Sequence, residues 1–286
     1  MLPWKGNQDY PSIRLGNSER IGLRVKDVRT RLDIAYLGTS FEGWQVQSGE
    51  REGGRSRTVQ GTLEACLERI YRRPIRLHGA GRTDAGVHAH GQVAHFDLVE
   101  GDPAIPAYGL QAALNGRLPE AIRIHGVREV PEAFHARLSA TAKTYRYRYR
   151  RGRFLPPHEG LVEALLPERV LLQPMKEAAE LLVGRRDFAL FSVTGSEVRT
   201  TVRTLFTLEI EEEGPVLVVT AIGDGFLRGM VRRLAGTLRE VGRGATRPRD
   251  VLSAPGPTAE ARGLTLEEVT YGNPPAEEPR DDVAIE

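Results

Sequence analysis

A chain of 286 residues, 40% hydrophobic and 27% charged, can bury a full core and has the composition of a soluble globular protein. A single cysteine, Cys66, excludes an internal disulfide framework and a thiolate-rich metal site, and a net charge of +2 excludes the overall basicity that would by itself announce a polyanion partner. No apolar run reaches signal-peptide or membrane-spanning length, so a cytoplasmic protein with no membrane partner is expected.

Residues 1–29 show no periodicity and are expected to form a flexible extension. TRLDIAYLG (30–38) alternates apolar and polar residues and ends at glycine, as a strand does. QSGEREGGRSR (47–57) is a Gly-rich charged loop. TVQGTLEACLERIYRR then places Leu63, Leu67 and Ile70 at helical spacing, and Pro74 stops the helix. PIRLHG (74–79) and GQVAHFDL (91–98) are expected strands, joined by a loop rich in small residues. IPAYGLQAALNGRLP is a second helix, and AIRIHGVREV and KTYRYRYR are further strands. After a Pro- and Leu-rich stretch (155–172) the pattern resumes with a helix, QPMKEAAELLVG, ended by Gly184. TVRTLFTLEIEEEGPVLVVTAIG is a hairpin turning near Glu213, Gly214 and Pro215. GFLRGMVRRLAGTLREVG is a long helix, GLTLEEVTYG closes as a strand, and the acidic tail 273–286 is expected to be disordered. Strands outnumber helices without strict alternation, which predicts an α+β fold with a mostly antiparallel sheet. Two similar halves are expected, an N-terminal one over 30–140 and a C-terminal one over 141–272.

The loop GAGRTDAGVHAHG (79–91) places one carboxylate, Asp84, between an Arg-Thr pair and a small-residue turn. A dinucleotide fingerprint would need a small residue where Asp84 stands, and a Walker loop would need Gly-Lys-Ser/Thr, so both phosphate-loop readings fail. Asp84, His88, His90 and His95 could converge on a metal, but no second acidic cluster completes a hydrolytic site. The plain alternative for Asp84 is an Asx-turn. Against it, Arg82 lies two residues away and can favour the ionised carboxylate, while Gly79, Gly81 and Gly86 let another molecule approach the backbone.

In KTYRYRYR the strand period puts Lys143, Tyr145, Tyr147 and Tyr149 on one face and Arg146, Arg148 and Arg150 on the other. Tyr147 and Tyr149 are expected in the core with the arginines in water, whereas Tyr145, at the strand's entry, could stack on a splayed base for about 1–3 kcal/mol. In the long helix Arg228 and Arg232 share a face and are available to anions.

GAGRTDAGVHAHGQVAHF resembles the signature of the TruA-type tRNA pseudouridine synthases. GTSFEGWQVQ, TVQGTLEACL, ALNGRLPEAIRI, FHARLSATAKTYRYRY, DFALFS, FLRGMVRRLAG and GLTLEEVTYG resemble the family's other blocks, in the family's order, over residues 30–272. The resemblance implies the pseudouridine synthase fold: two similar α/β-sandwich domains sharing an extended, mostly antiparallel sheet, assembled as a homodimer. It implies isomerisation of uridine at positions 38, 39 and 40 of the tRNA anticodon stem-loop, with no cofactor and no metal. Asp84 would be the catalytic carboxylate, Arg82 and Arg232 its cations, and Tyr145 the tyrosine against the target base. Lys143, Arg146, Arg228, Arg55 and Arg57 are expected to contact RNA, the last two from the Gly/Arg-rich loop. Where the family has Tyr-Asp-Gly, this chain has Tyr36, Leu37 and Gly38. Two other readings compete: a catalytically inactive RNA-binding protein on the same scaffold, and a metal-dependent RNA hydrolase that excess chelator would silence.

Overall fold

The structure is a computed structural model that describes residues 28–45, 57–167, 169–193 and 199–273. Among these residues ten strands and four α-helices follow in the order β1 (Arg29–Tyr36), α1 (Val59–Tyr71), β2 (His78–Gly79), β3 (His88–Asp97), α2 (Ala107–Asn115), β4 (Ile122–Val130), β5 (Ala140–Arg151), β6 (Ala164–Leu166), α3 (Leu172–Leu182), β7 (Gly184–Asp187), β8 (Val202–Glu213), β9 (Val216–Gly223), α4 (Met230–Gly242) and β10 (Leu264–Tyr271). All ten strands join one sheet, ordered β4-β1-β3-β10-β5-β9-β8-β7, with β2 on β3 and β6 on β5. Only β10–β3 and β5–β6 pair in parallel; every other pairing is antiparallel. The expected α+β class with a mostly antiparallel sheet is what the chain adopts.

The sheet runs without a break from the first half of the sequence into the second, because β10 lies between β3 and β5. One cross-strand row makes the continuity concrete. Ile122, Tyr36, Ala89, Leu266, Tyr145, Ala221 and Leu208 are successive partners across the strands, and all are buried. Cross-strand partners share a face, so Tyr36 and Tyr145, from opposite halves of the chain, stand on the same apolar floor.

Local chemistry sets the element ends. The hydroxyl of Thr58 accepts the Gly61 N–H at 3.2 Å and caps α1, which buries Val59, Leu63, Cys66 and Leu67 against the sheet. α1 stops where Arg72 turns left-handed (φ 57°), two residues before Pro74. α4 starts at Met230, five residues later than the apolar spacing from Gly225 predicts. Gly229 explains the delay: its φ is +70°, and a Cβ there would lie 2.4 Å from Val193 Cγ2. β2 covers only two of the six residues expected in 74–79, because β3 shares that edge between β2 and β10. β3 begins at His88, so two histidines assigned to the loop belong to a strand.

Candidate active site

Asp84 sits in the connection between β2 and β3, at the point where the edge of β3 passes from β2 to β10. The two strands hold the ends of the loop apart, and its middle is carried over the row of buried side chains that contains Tyr36 and Tyr145. Asp84 meets two cations from the second half of the chain. Its carboxylate accepts a hydrogen bond from Arg232 Nη1 at 3.1 Å, and Arg228 Nε lies 3.9 Å from the other oxygen. About a quarter of the Asp84 side chain remains accessible (26%). Arg232 is itself pinned, since its Nε donates to the Ala259 carbonyl at 2.8 Å while the Ala259 N–H bonds the Arg232 carbonyl. A guanidinium fixed at two points is a preorganised counter-charge rather than a mobile one.

The other expected cation is elsewhere. Arg82 is exposed and makes no ion pair with Asp84 among the described residues; the loop turns so that Asp84 faces α4 and Arg82 faces solvent. Arg228 precedes α4 rather than sharing a helical face with Arg232, yet both reach the same carboxylate.

Tyr145 is 6% exposed, and the edge-on ring of Phe226 packs against it with centroids 5.2 Å apart. So enclosed, it does not present the open stacking face expected from the sequence. Burial raises its phenol above the ordinary range, with smaller pushes from Tyr36 and the Asp84 carboxylate, so it stays protonated. Lys143, two residues back on the same face, runs its stem past the Asp84 loop: a Cβ on Gly81 would lie 3.4 Å from Lys143 Cε. Burial lowers the Lys143 ammonium to about 8, helped by Arg137 and Arg203 and opposed by Asp224.

The loop glycines serve the protein's own packing. Trp44 fills the space beside Gly79, where a Cβ would come within 2.6 Å of its indole, and Lys143 fills the space beside Gly81. A buried polar chain holds the loop from below. Gln92 Nε2 donates to the Gly81 carbonyl at 3.0 Å, and the Tyr36 hydroxyl bonds Thr83 Oγ1 at 2.8 Å. Trp44 N–H donates to the Thr83 carbonyl at 3.1 Å. Sequence reasoning missed Tyr36, Trp44, Thr83 and Gln92; their only signal was their place in the quoted blocks.

The arginine row of β5 behaves differently from expectation. Tyr147 and Tyr149 are buried as predicted, but two arginines of the row, and Arg151 at the end of the strand, meet carboxylates rather than open water. Arg148 pairs with Glu267 at 2.9 Å, Arg150 with Glu163 and at 3.8 Å with Glu159, and Arg151 with Glu212. Arg146 has no such pair among the described residues and lies opposite Thr265 and Thr220, on the face turned away from Tyr145 and Asp84. Arg57 lies over the Phe41 ring at 5.4 Å, whereas Arg55 and most of the 47–57 loop, like the extension before residue 28 and the tail after 273, fall outside the described residues.

The histidines have separate partners. His88 Nδ1 accepts the Gly38 N–H at 3.0 Å and its other nitrogen bonds the Arg262 carbonyl at 3.1 Å, which fixes a neutral tautomer; burial lowers its pKa. His90 bonds Glu267 at 2.7 Å, and His95 accepts the Ala136 N–H at 3.1 Å.

The family model described as tRNA pseudouridine synthase matches residues 34–138 and 178–272 of this chain. The chain is 39% identical over 249 residues to the tRNA pseudouridine synthase A of Geobacter sulfurreducens, covering 84% of this chain and 98% of that protein. It is 41% identical over 254 residues to tRNA pseudouridine synthase A 1 of Desulfotalea psychrophila, covering 83% and 97%. With the tRNA pseudouridine synthase A of Solidesulfovibrio magneticus it shares 42% identity over 260 residues, covering 86% and 92%.

Proposed function

Because the chain belongs to the tRNA pseudouridine synthase family, we propose that it isomerises uridine to pseudouridine in tRNA, with Asp84 as the catalytic carboxylate. Its substrates are uridines 38, 39 and 40 of the anticodon stem-loop, and it acts as a cytoplasmic homodimer. The observation that supports this most directly is the accessible carboxylate of Asp84, ion-paired by Arg232 and approached by Arg228 above Tyr145.

The reaction breaks the uridine N1–C1′ bond and forms a C5–C1′ bond. The C5 proton goes to solvent, a proton is taken up at N1, and nothing is oxidised or reduced. A single carboxylate at the sugar is enough, either attacking C1′ or removing the C2′ proton, and both courses have the same overall balance. Arg232, fixed by Ala259, holds the carboxylate at its place in the loop. Tyr145 stays neutral and bounds the space for the base from below, with Phe226 behind it. A uridine in a stem has to leave its stack, at a cost of a few kcal/mol, before any of these groups reaches it. Lys143, Arg228, Arg57 and Arg55 meet the RNA backbone and recover part of that cost through phosphate contacts. Reading by backbone and shape rather than base edges fits action at three neighbouring positions.

The test is tritium release to solvent from unmodified tRNA labelled at uridine C5, in excess chelator, with the native protein and with Asp84→Asn. Release by the native protein alone is the expected result. Equal release by both proteins would remove Asp84 from the chemistry, and no release by the native protein would overturn the isomerase reading.

A further inference from the structure

Gln92 is fully buried in β3 and belongs to none of the groups that face Asp84. Its carboxamide makes three contacts with the surroundings of the catalytic loop. Oε1 accepts the N–H of Val93 at 3.2 Å, while Nε2 faces the Gly81 carbonyl at 3.0 Å and the Tyr36 hydroxyl at 3.4 Å. A backbone N–H only donates and a backbone carbonyl only accepts, so the amide has one possible orientation. With an amide N–H directed at it, the Tyr36 oxygen accepts from Gln92, and the phenol keeps its own proton for the 2.8 Å bond it shares with Thr83 Oγ1, in which either hydroxyl can donate. Burial pushes the Tyr36 phenol up to about 12, so this proton is present throughout the working pH range. One buried side chain thus fixes two points of the loop: the Gly81 carbonyl directly, and the Thr83 side chain through Tyr36. These points bracket Arg82 and lead straight into Asp84.

We propose that Gln92 is the positioning residue of the catalytic loop: its amide, bonded to Gly81 and Tyr36, sets the depth at which Asp84 meets Arg232. The proposal rests on the reading of Asp84 as the catalytic carboxylate. Other bonds tie the loop at Ala80, whose N–H donates to the Val93 carbonyl, and at Thr83, whose carbonyl accepts the Trp44 N–H; at the Gly81 carbonyl the donor among the described residues is Gln92 Nε2. Gln92 is fully buried, so a donor lost there leaves the Gly81 carbonyl without its partner on the inner side, at a cost in free energy. The loop then has two ways to relieve that cost, and both move Asp84: lifting toward solvent or rotating the Gly81 peptide. Displacement of about 1 Å at a reacting group is enough to cost up to about a hundredfold in rate.

The experiment compares the native protein with Gln92→Leu and Gln92→Glu by C5 tritium release from unmodified tRNA and by amide hydrogen exchange of the segment 80–88. Gln92→Leu keeps the approximate shape and removes the donor, and its kcat is expected to fall by about 10- to 100-fold with KM within about twofold. Exchange across 80–88 is expected to quicken while the other strands keep their protection. Gln92→Glu supplies the readout that a merely structural role would not move. An ionised carboxylate has no proton for Gly81, whereas the protonated acid donates one. Its activity, taken as a ratio to the native protein so that titrations common to both cancel, is expected to rise as pH falls from 8 to 6, since burial raises the acid's pKa into that window. Undiminished kcat in Gln92→Leu would overturn the proposal, as would a loss confined to KM or a pH-independent ratio for Gln92→Glu. If the native protein releases no tritium, the isomerase reading fails on its own, and unchanged exchange at 80–88 in Gln92→Leu overturns the positioning role independently.

Discussion

At the start of α4, Arg228 and Arg232 converge on Asp84, two guanidinium groups to one carboxylate; on β5 the proportion is reversed, and Arg150 alone meets both Glu159 and Glu163. Arg148 and Arg151 each have a glutamate of their own. In sequence the β5 run is the more basic of the two, with six Lys/Arg and no acid over residues 142–153. In the fold it is the more nearly neutral. Surplus positive charge remains at Asp84, the carboxylate proposed to meet the substrate's sugar, and is cancelled where arginines tie β5 to its neighbouring strands and loops. A run of cations is therefore a poor guide to the nucleic-acid face until the carboxylates that fold against it are known.

The largest effect is expected at Arg232. Arg232→Gln removes a charge-assisted hydrogen bond of about 1.5–3 kcal/mol to Asp84, and kcat for tritium release is expected to fall about 10- to 100-fold. A decrease of less than twofold would mean that Asp84 does not need this counter-charge. On β5 the expected effect is on folding instead. Arg150→Gln leaves Glu163, only 8% exposed, without its partner, costing about 1–3 kcal/mol and lowering the thermal midpoint by several degrees, with kcat unchanged. Loss of tRNA affinity in that variant at constant stability would return β5 to the RNA face. Arg228→Ala is milder, because its contact with Asp84 is longer and its side chain more exposed. The slope of log affinity for tRNA against log salt is expected to flatten by about one phosphate contact.

The smallest effect lies away from both arginine groups. Burial lowers His95 to about 4, helped by Arg29, His135 and His78, against an ordinary value near 6.5. Between those values the unfolded chain takes up a proton that the folded chain refuses, so stability falls as pH drops from about 6.5 toward 4. A decline of a few degrees in thermal midpoint is expected over that window, shallower in His95→Asn, which keeps an acceptor for the Ala136 N–H.

What the sequence made legible was whatever depends on spacing. The period of two in KTYRYRYR separated the buried tyrosines from the arginines, and the loop that presents Asp84 was visible between two strand patterns. What it concealed depends on partners far along the chain. Glu267 is 119 residues from Arg148, and Arg232 is 148 residues from Asp84, so no local pattern pairs them. Helical spacing marked Arg232 as available to an anion, but only the family resemblance tied it to Asp84, and it also tied Arg82, whose side chain the loop turns outward. The late start of α4 has a local cause, yet Gly229 could be weighed only once Val193 was known to crowd it. Gln92 looked like one more polar residue in a strand. Its importance lies in which two groups it reaches, and those are fixed by the turn between β2 and β3.

β10 has a further consequence for how this protein is made. When a ribosome has synthesised residue 223, nine of the ten strands exist, but the one that separates β3 from β5 is still unmade. The two halves of the sheet therefore wait with their facing edges unpaired while about 40 further residues are added, some seconds at ordinary rates of synthesis. Unpaired edges of that kind invite pairing with other chains, so nascent copies are most exposed to aggregation in that interval. The last strand to arrive closes that gap, and the floor beneath the Asp84 loop becomes continuous only when Leu266 slots in between Ala89 and Tyr145.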